Sequence, residues 1–115
     1  MSAGNTAAND PNRPVITMCK ITGNTTGGHG GGIFCETSRP IIRTTEISYN
    51  NASSAMSYGG GLYADSGAVP EIINCLFHHN NANNYGGAIY LNSSNAIITL
   101  CTIMYNTVLD YRGGI

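Results

Sequence analysis

The residues of this 115-residue chain that could do chemistry are four cysteines, three histidines and six carboxylates, with five Lys and Arg. Cys19, Cys35, Cys75 and Cys101 contain no CxxC pair, so the usual spacing of a zinc site is missing. His78 and His79 are neighbours on a predicted strand, where successive side chains take opposite faces. They are therefore not expected to share a metal. His29 falls in a glycine-rich turn. Asp10, Glu36, Glu46, Asp65, Glu71 and Asp110 follow no common spacing, and no acid–base pair is evident among them. Arg43 and Glu71 are expected near one surface, as a solvated ion pair. The glycines at 30–32, 59–61, 86–87 and 113–114 lack the Lys-Ser/Thr that follows a phosphate-binding loop. They are expected to serve tight turns and close backbone approach. No catalytic, metal or cofactor residue emerges, and the chain is not expected to be an enzyme.

The spacing of the other residues says what positions these groups. Four segments align on a terminal asparagine: PVITMCKITGN at Asn24, PIIRTTEISYN at Asn50, PEIINCLFHHN at Asn80 and AIITLCTIMYN at Asn106. Each is followed by glycines and an aliphatic residue, Ile33, Leu62, Ile89 and Ile115. The second interval is longer, and the extra residues fall near Ser53 to Met56. Eight positions before the asparagines stand Ile16, Ile42, Ile72 and Ile98; three before stand Ile21, Ile47, Phe77 and Ile103; five before stand Cys19, Thr45, Cys75 and Cys101. Apolar residues alternate locally, which is the period of a strand with one buried face. The repeat predicts two or three short strands per coil, four coils (14–39, 40–69, 70–95 and 96–115), and a core made by stacking like on like. Residues 1–13 form an N-terminal extension. The expected fold is all-β: a right-handed, single-stranded parallel β-helix of about four coils.

Within that frame, Asn24, Asn50, Asn80 and Asn106 are expected to form a structural ladder of stacked side-chain amides. Cys19, Cys75 and Cys101 belong to the same scaffold, with buried thiols expected first and a Cys75–Cys101 disulfide second. All seven tyrosines fall in three columns. One runs His29, Tyr58, Tyr85, Tyr111; a second Phe34, Tyr63, Tyr90; a third Gly23, Tyr49, His79, Tyr105. The second is expected to face outward. Phe34, Tyr63, Tyr90, Tyr58, Tyr85 and Tyr111 are the candidate contact surface, able to stack on one another or to meet sugars or protein.

Pairing GGGI, GGGL and GGAI with ISYN, FHHN and IMYN resembles the repeats of the polymorphic outer-membrane proteins, which are surface-exposed autotransporter passengers. More widely it looks like the pectate-lyase-like β-helix superfamily. The resemblance covers roughly residues 14 to 115 and implies an extracellular or cell-surface location. No leader pattern is seen at the N-terminus, and no stretch is apolar and long enough to span a membrane as a helix. Only 10% of residues are charged and the net charge is -1, so a nucleic-acid partner is not expected.

Uncapped coils expose strand edges. The sequence therefore predicts a structural protein that assembles head to tail with copies of itself into a fibre or surface layer. The N-terminal extension is a candidate inter-subunit contact. An adhesin module binding glycan or a surface protein is the second reading, and a fragment of a carbohydrate-active enzyme the third.

Overall fold

A computed structural model describes residues 2–3 and 13–110. The described residues contain sixteen short strands and no helix. Each coil contributes four. The first has β1 (Ser2–Ala3), β2 (Val15–Thr17), β3 (Lys20–Thr22) and β4 (Thr25–Thr26). The second has β5 (Ile33–Glu36), β6 (Ile41–Arg43), β7 (Glu46–Ser48) and β8 (Asn51–Ala52). The third has β9 (Leu62–Asp65), β10 (Glu71–Ile73), β11 (Leu76–His78) and β12 (Asn81–Ala82). The fourth has β13 (Ile89–Asn92), β14 (Ile97–Thr99), β15 (Thr102–Met104) and β16 (Thr107–Val108).

Corresponding strands stack into four parallel sheets, ordered β1-β5-β9-β13, β2-β6-β10-β14, β3-β7-β11-β15 and β4-β8-β12-β16. The predicted columns are the observed register: Ile16, Ile42, Ile72 and Ile98 align in the second sheet, and Ile21, Ile47, Phe77 and Ile103 in the third. The two or three strands expected per coil are four, because the two residues after each ladder asparagine pair as well. Ser2–Ala3, within the predicted extension, pair with Phe34–Cys35 of the same chain. The rest of that extension, apart from Arg13, lies outside the described residues, as do Tyr111 and the final Gly-Gly-Ile.

Corners between sheets need left-handed backbone. Met18, Thr44, Asn74 and Leu100 turn one corner, and Gly23, Tyr49, His79 and Tyr105 the next, all at positive φ. The longer second interval is a loop bulging from its column. Asn83 bonds Ala52 and Asn84 bonds Ser57, so Ser54, Ala55 and Met56 stand outside the stack. Inward side chains make one core: Ile33, Ile42, Ile47, Leu62, Ile72, Phe77 and Ile89 are fully buried. Fully burying each such side chain contributes about 1.5–3 kcal/mol. Ile98 has the same inward position but is 38% exposed, because no coil among the described residues covers it.

Candidate functional site

The asparagine ladder forms as its spacing predicts. The backbone N–H and Nδ2 of Asn24 both donate to Asn50 Oδ1, at 3.1 and 3.0 Å. Asn50 makes the same pair of bonds to Asn80 Oδ1, and Asn80 to Asn106 Oδ1. The second Nδ2 hydrogen returns to the core: Asn50 donates to Ile21 O and Asn80 to Ile47 O. Asn50 and Asn80 are fully buried with their bonding satisfied, so these amides build the wall and do not face a ligand.

The aromatic surface differs from expectation at its centre. Phe34, Tyr63 and Tyr90 stack face to face, at 5.3 and 5.8 Å between centroids. The neighbouring column leans onto them: His29 stacks on Tyr58 and Tyr63, Tyr58 on Tyr90, and Tyr85 tilts against Tyr58 and Tyr90. Two interlocked columns leave Tyr63 only 4% exposed. Its hydroxyl donates to Asp65 Oδ2 at 3.1 Å, and burial raises its pKa. Tyr63 is thus withdrawn from the predicted contact surface, while Phe34, Tyr58, Tyr85 and Tyr90 remain half-buried at its margins. Inner faces of stacked rings are occupied by other rings, so the stack offers mainly edges to a sugar.

Chemistry-bearing side chains gather elsewhere, on the outer face of the third sheet. His78 closes β11, and His79 turns the corner at φ 54. That left-handed turn undoes the strand alternation that sequence reasoning applied. The two Nδ1 atoms lie 2.7 Å apart, and His78 Nε2 lies 2.9 Å from Glu46 Oε1. The expectation that the two imidazoles are separated, with no acid–base pair nearby, is corrected. A nitrogen facing a carboxylate must carry the proton, so His78 donates through Nε2. With both rings neutral, its Nδ1 accepts from His79 Nδ1–H. The centroids are 5.0 Å apart, which is the nitrogen–nitrogen distance plus two ring radii. The nitrogens therefore meet end to end, as sharing one proton requires. Two imidazoles bound to one tetrahedral metal at about 2 Å would hold their nitrogens about 3.3 Å apart, wider than the 2.7 Å seen here.

Glu46 also accepts from Ser48 Oγ at 2.9 Å and pairs with Lys20 at 3.7 Å. The His78 hydrogen bond, then the Ser48 one, hold its carboxyl below the usual range. Tyr49 stacks on His79, and Tyr105 tilts against it from the other side. The column Gly23, Tyr49, His79, Tyr105 carried a clue, since its glycine marks a corner that demands positive φ. Glu71 takes a different partner from the expected Arg43: Arg13 reaches across the second coil to it, at 3.5 Å.

All four cysteines are free, without a Cys75–Cys101 disulfide. Cys35 and Cys75 are buried, Cys101 is half-buried and Cys19 is exposed. The expectation of a uniformly buried column fails at Cys19, which sits in the first coil and, among the described residues, has a neighbouring coil on one side only. Burial pushes the Cys35 thiol up to about 12 and also raises that of Cys75. The thiolate is the reactive form. A maleimide at neutral pH is therefore expected to label Cys19 first, Cys101 more slowly, and Cys35 and Cys75 only on unfolding. Peptide mapping against time checks this order, and early labelling of Cys35 would contradict the burial.

Four coils of parallel strands around one core, tied by an internal amide ladder, define a β-solenoid. The family described as right-handed β-helix region matches residues 5–115, and the chain belongs to it. Its winding is right-handed, as parallel crossovers nearly always are. Comparisons with curated proteins and with solved structures gave no match.

Proposed function

We propose that this chain is a non-enzymatic structural β-solenoid, which stacks end to end with copies of itself into an extracellular fibre or surface layer. One observation carries the reading. The fourth coil presents β14, β15 and β16 with one edge unpaired among the described residues, and within β14 stands inward-facing Ile98, whose counterparts Ile42 and Ile72 are fully buried. An open parallel edge backed by exposed core residues is a template for another coil. The extracellular setting rests on the resemblance of the glycine–aliphatic and asparagine repeats to surface-exposed passengers.

Light scattering and electron microscopy across a concentration series test the assembly. The wild-type chain is expected to form particles that lengthen with concentration, and Ile98→Asp to remain monomeric, because a charge at that position cannot be buried unpaired. Short monomers at every concentration would sink the proposal.

An adhesin role is the second reading. It is favoured by the exposed corner aromatics Tyr49 and Tyr105, which flank His79. Glycan arrays comparing the wild type with Tyr105→Ala address it, and equal signals from both would count against this corner.

A further inference from the structure

Resting on that assembly reading, we infer that the junction has one polarity and one register: the first coil of a copy continues the repeat on the fourth coil of the copy below. Met18 then sits on Leu100, Val15 on Ile97 and Asn24 on Asn106. Three features of the two end coils fit each other in this way.

The first is the corner column Met18, Thr44, Asn74, Leu100. Its interior members are polar, whereas its two end members are apolar and 79% and 81% exposed. All four sit at φ near 50, a conformation that asparagine tolerates better than bulky apolar residues do. This corner stays exposed even at Thr44 and Asn74, which have coils on both sides, and in the proposed register Met18 and Leu100 lie against each other along it. So do Val15 and Ile97, the half-exposed outward residues that open β2 and β14.

The second feature is the direction of the asparagine ladder. Every bond runs from the backbone N–H and Nδ2 of the lower asparagine to Oδ1 of the upper one. Among the described residues the ladder therefore ends in an acceptor, Asn24 Oδ1, and in a donor, the Asn106 N–H. Head-to-tail stacking joins donor to acceptor. Head-to-head or tail-to-tail stacking would set like against like.

The third feature is the main-chain pattern between coils. Glu46 N donates to Cys19 O, Leu76 N to Thr45 O and Thr102 N to Cys75 O, while Met18 N donates to Arg43 O and Asn74 N to Thr99 O. Carried across the junction, Lys20 N meets Cys101 O of the copy below, and Leu100 N meets Thr17 O of the copy above. The ends thus match in strand direction, hydrogen-bond polarity and apolar contact.

Cys19 and Cys101 share a column, so they report the register directly. The test uses the 115-residue chain with Cys35→Ala and Cys75→Thr, which copy the residues at Ala64 and Thr45 in the same columns. A short thiol-specific bifunctional reagent is applied to the assembled protein, and the joined peptides are identified by mass spectrometry. Cys19–Cys101 joins between molecules are expected. Cys19–Cys19 or Cys101–Cys101 joins in assembled material would overturn the register and leave the assembly reading standing. No assembly at all would overturn both. A second arm uses Met18→Thr and Leu100→Asn, which give each end corner an interior residue and keep the turn. Each is expected to raise the concentration for half-assembly about ten-fold with unchanged thermal unfolding. Unchanged assembly in both variants would likewise refute the register.

Discussion

Asn80→Ala is expected to lower the melting temperature by about 15 °C, measured by circular dichroism of dilute protein. The alanine removes four bonds at once. Asn50 loses the acceptor for both its N–H and its Nδ2, Ile47 O loses a donor at 2.8 Å, and Asn106 Oδ1 loses one at 2.9 Å. Asn80 and Asn50 are fully buried, so water cannot replace these bonds without opening the coil. Each of these four bonds contributes about 1 kcal/mol, and in a chain of this length about 1 kcal/mol shifts the midpoint by about 4 °C. Asn80→Asp keeps the shape and the acceptor but aims a carboxylate at Ile47 O and Asn106 Oδ1, so it is expected to be no better. The same truncation at half-buried Asn106 is expected to cost less than half as much. If Asn80→Ala unfolded within 3 °C of the wild type, the ladder would not be a main support of the fold.

Gly60→Ala is expected to yield no folded protein, or one destabilised by more than about 4 kcal/mol. A Cβ at this position would lie 2.4 Å from both Asn81 O and Gly87 O and 2.6 Å from Asn81 C. Those atoms are all main chain of the next coil. They could yield only by spreading two coils apart, which would break the parallel pairing on every side. Gly31 and Gly87 face the same obstruction, with Gly60 O and Thr107 O each 2.4 Å away, so this column lets the coil walls close on one another. Gly27 provides the contrast: a Cβ there meets nothing within 4 Å, and its φ is not left-handed. Gly27→Ala is expected to fall within about 0.5 kcal/mol of the wild type. Soluble yield and denaturant unfolding of the pair decide the matter, and a well-folded Gly60→Ala protein would show that the coils are not so tightly apposed.

The ladder and the glycine column were both legible because they repeat. A residue type recurring at one place in every coil announces a shared environment, and stacking turns that place into a column in space. The isoleucine columns were readable for the same reason. The fourth strand of each coil was not, since two residues are too few to display a period. His79 was misplaced because nothing local announced that the strand had already ended at His78. Tyr63 was read as a surface residue from alternation along its own strand. Its burial comes from His29 and Tyr58, which belong to a different column and, in the case of His29, to a different coil.

The sequence by itself thus determined the coil: its inward residues, its corner asparagines and glycines, and its stacking in parallel register. These follow from short-range chemistry copied at a fixed interval. Only the tertiary structure decided which side chains meet on the outside. The line Glu46, His78, His79, the interlocked rings around Tyr63, and the exposed pair Met18 and Leu100 depend on left-handed corners and on how much coil lies above and below. The Glu46–His78 contact joins residues 32 positions apart, and the spacing of residue types carries no information about how a side chain turns.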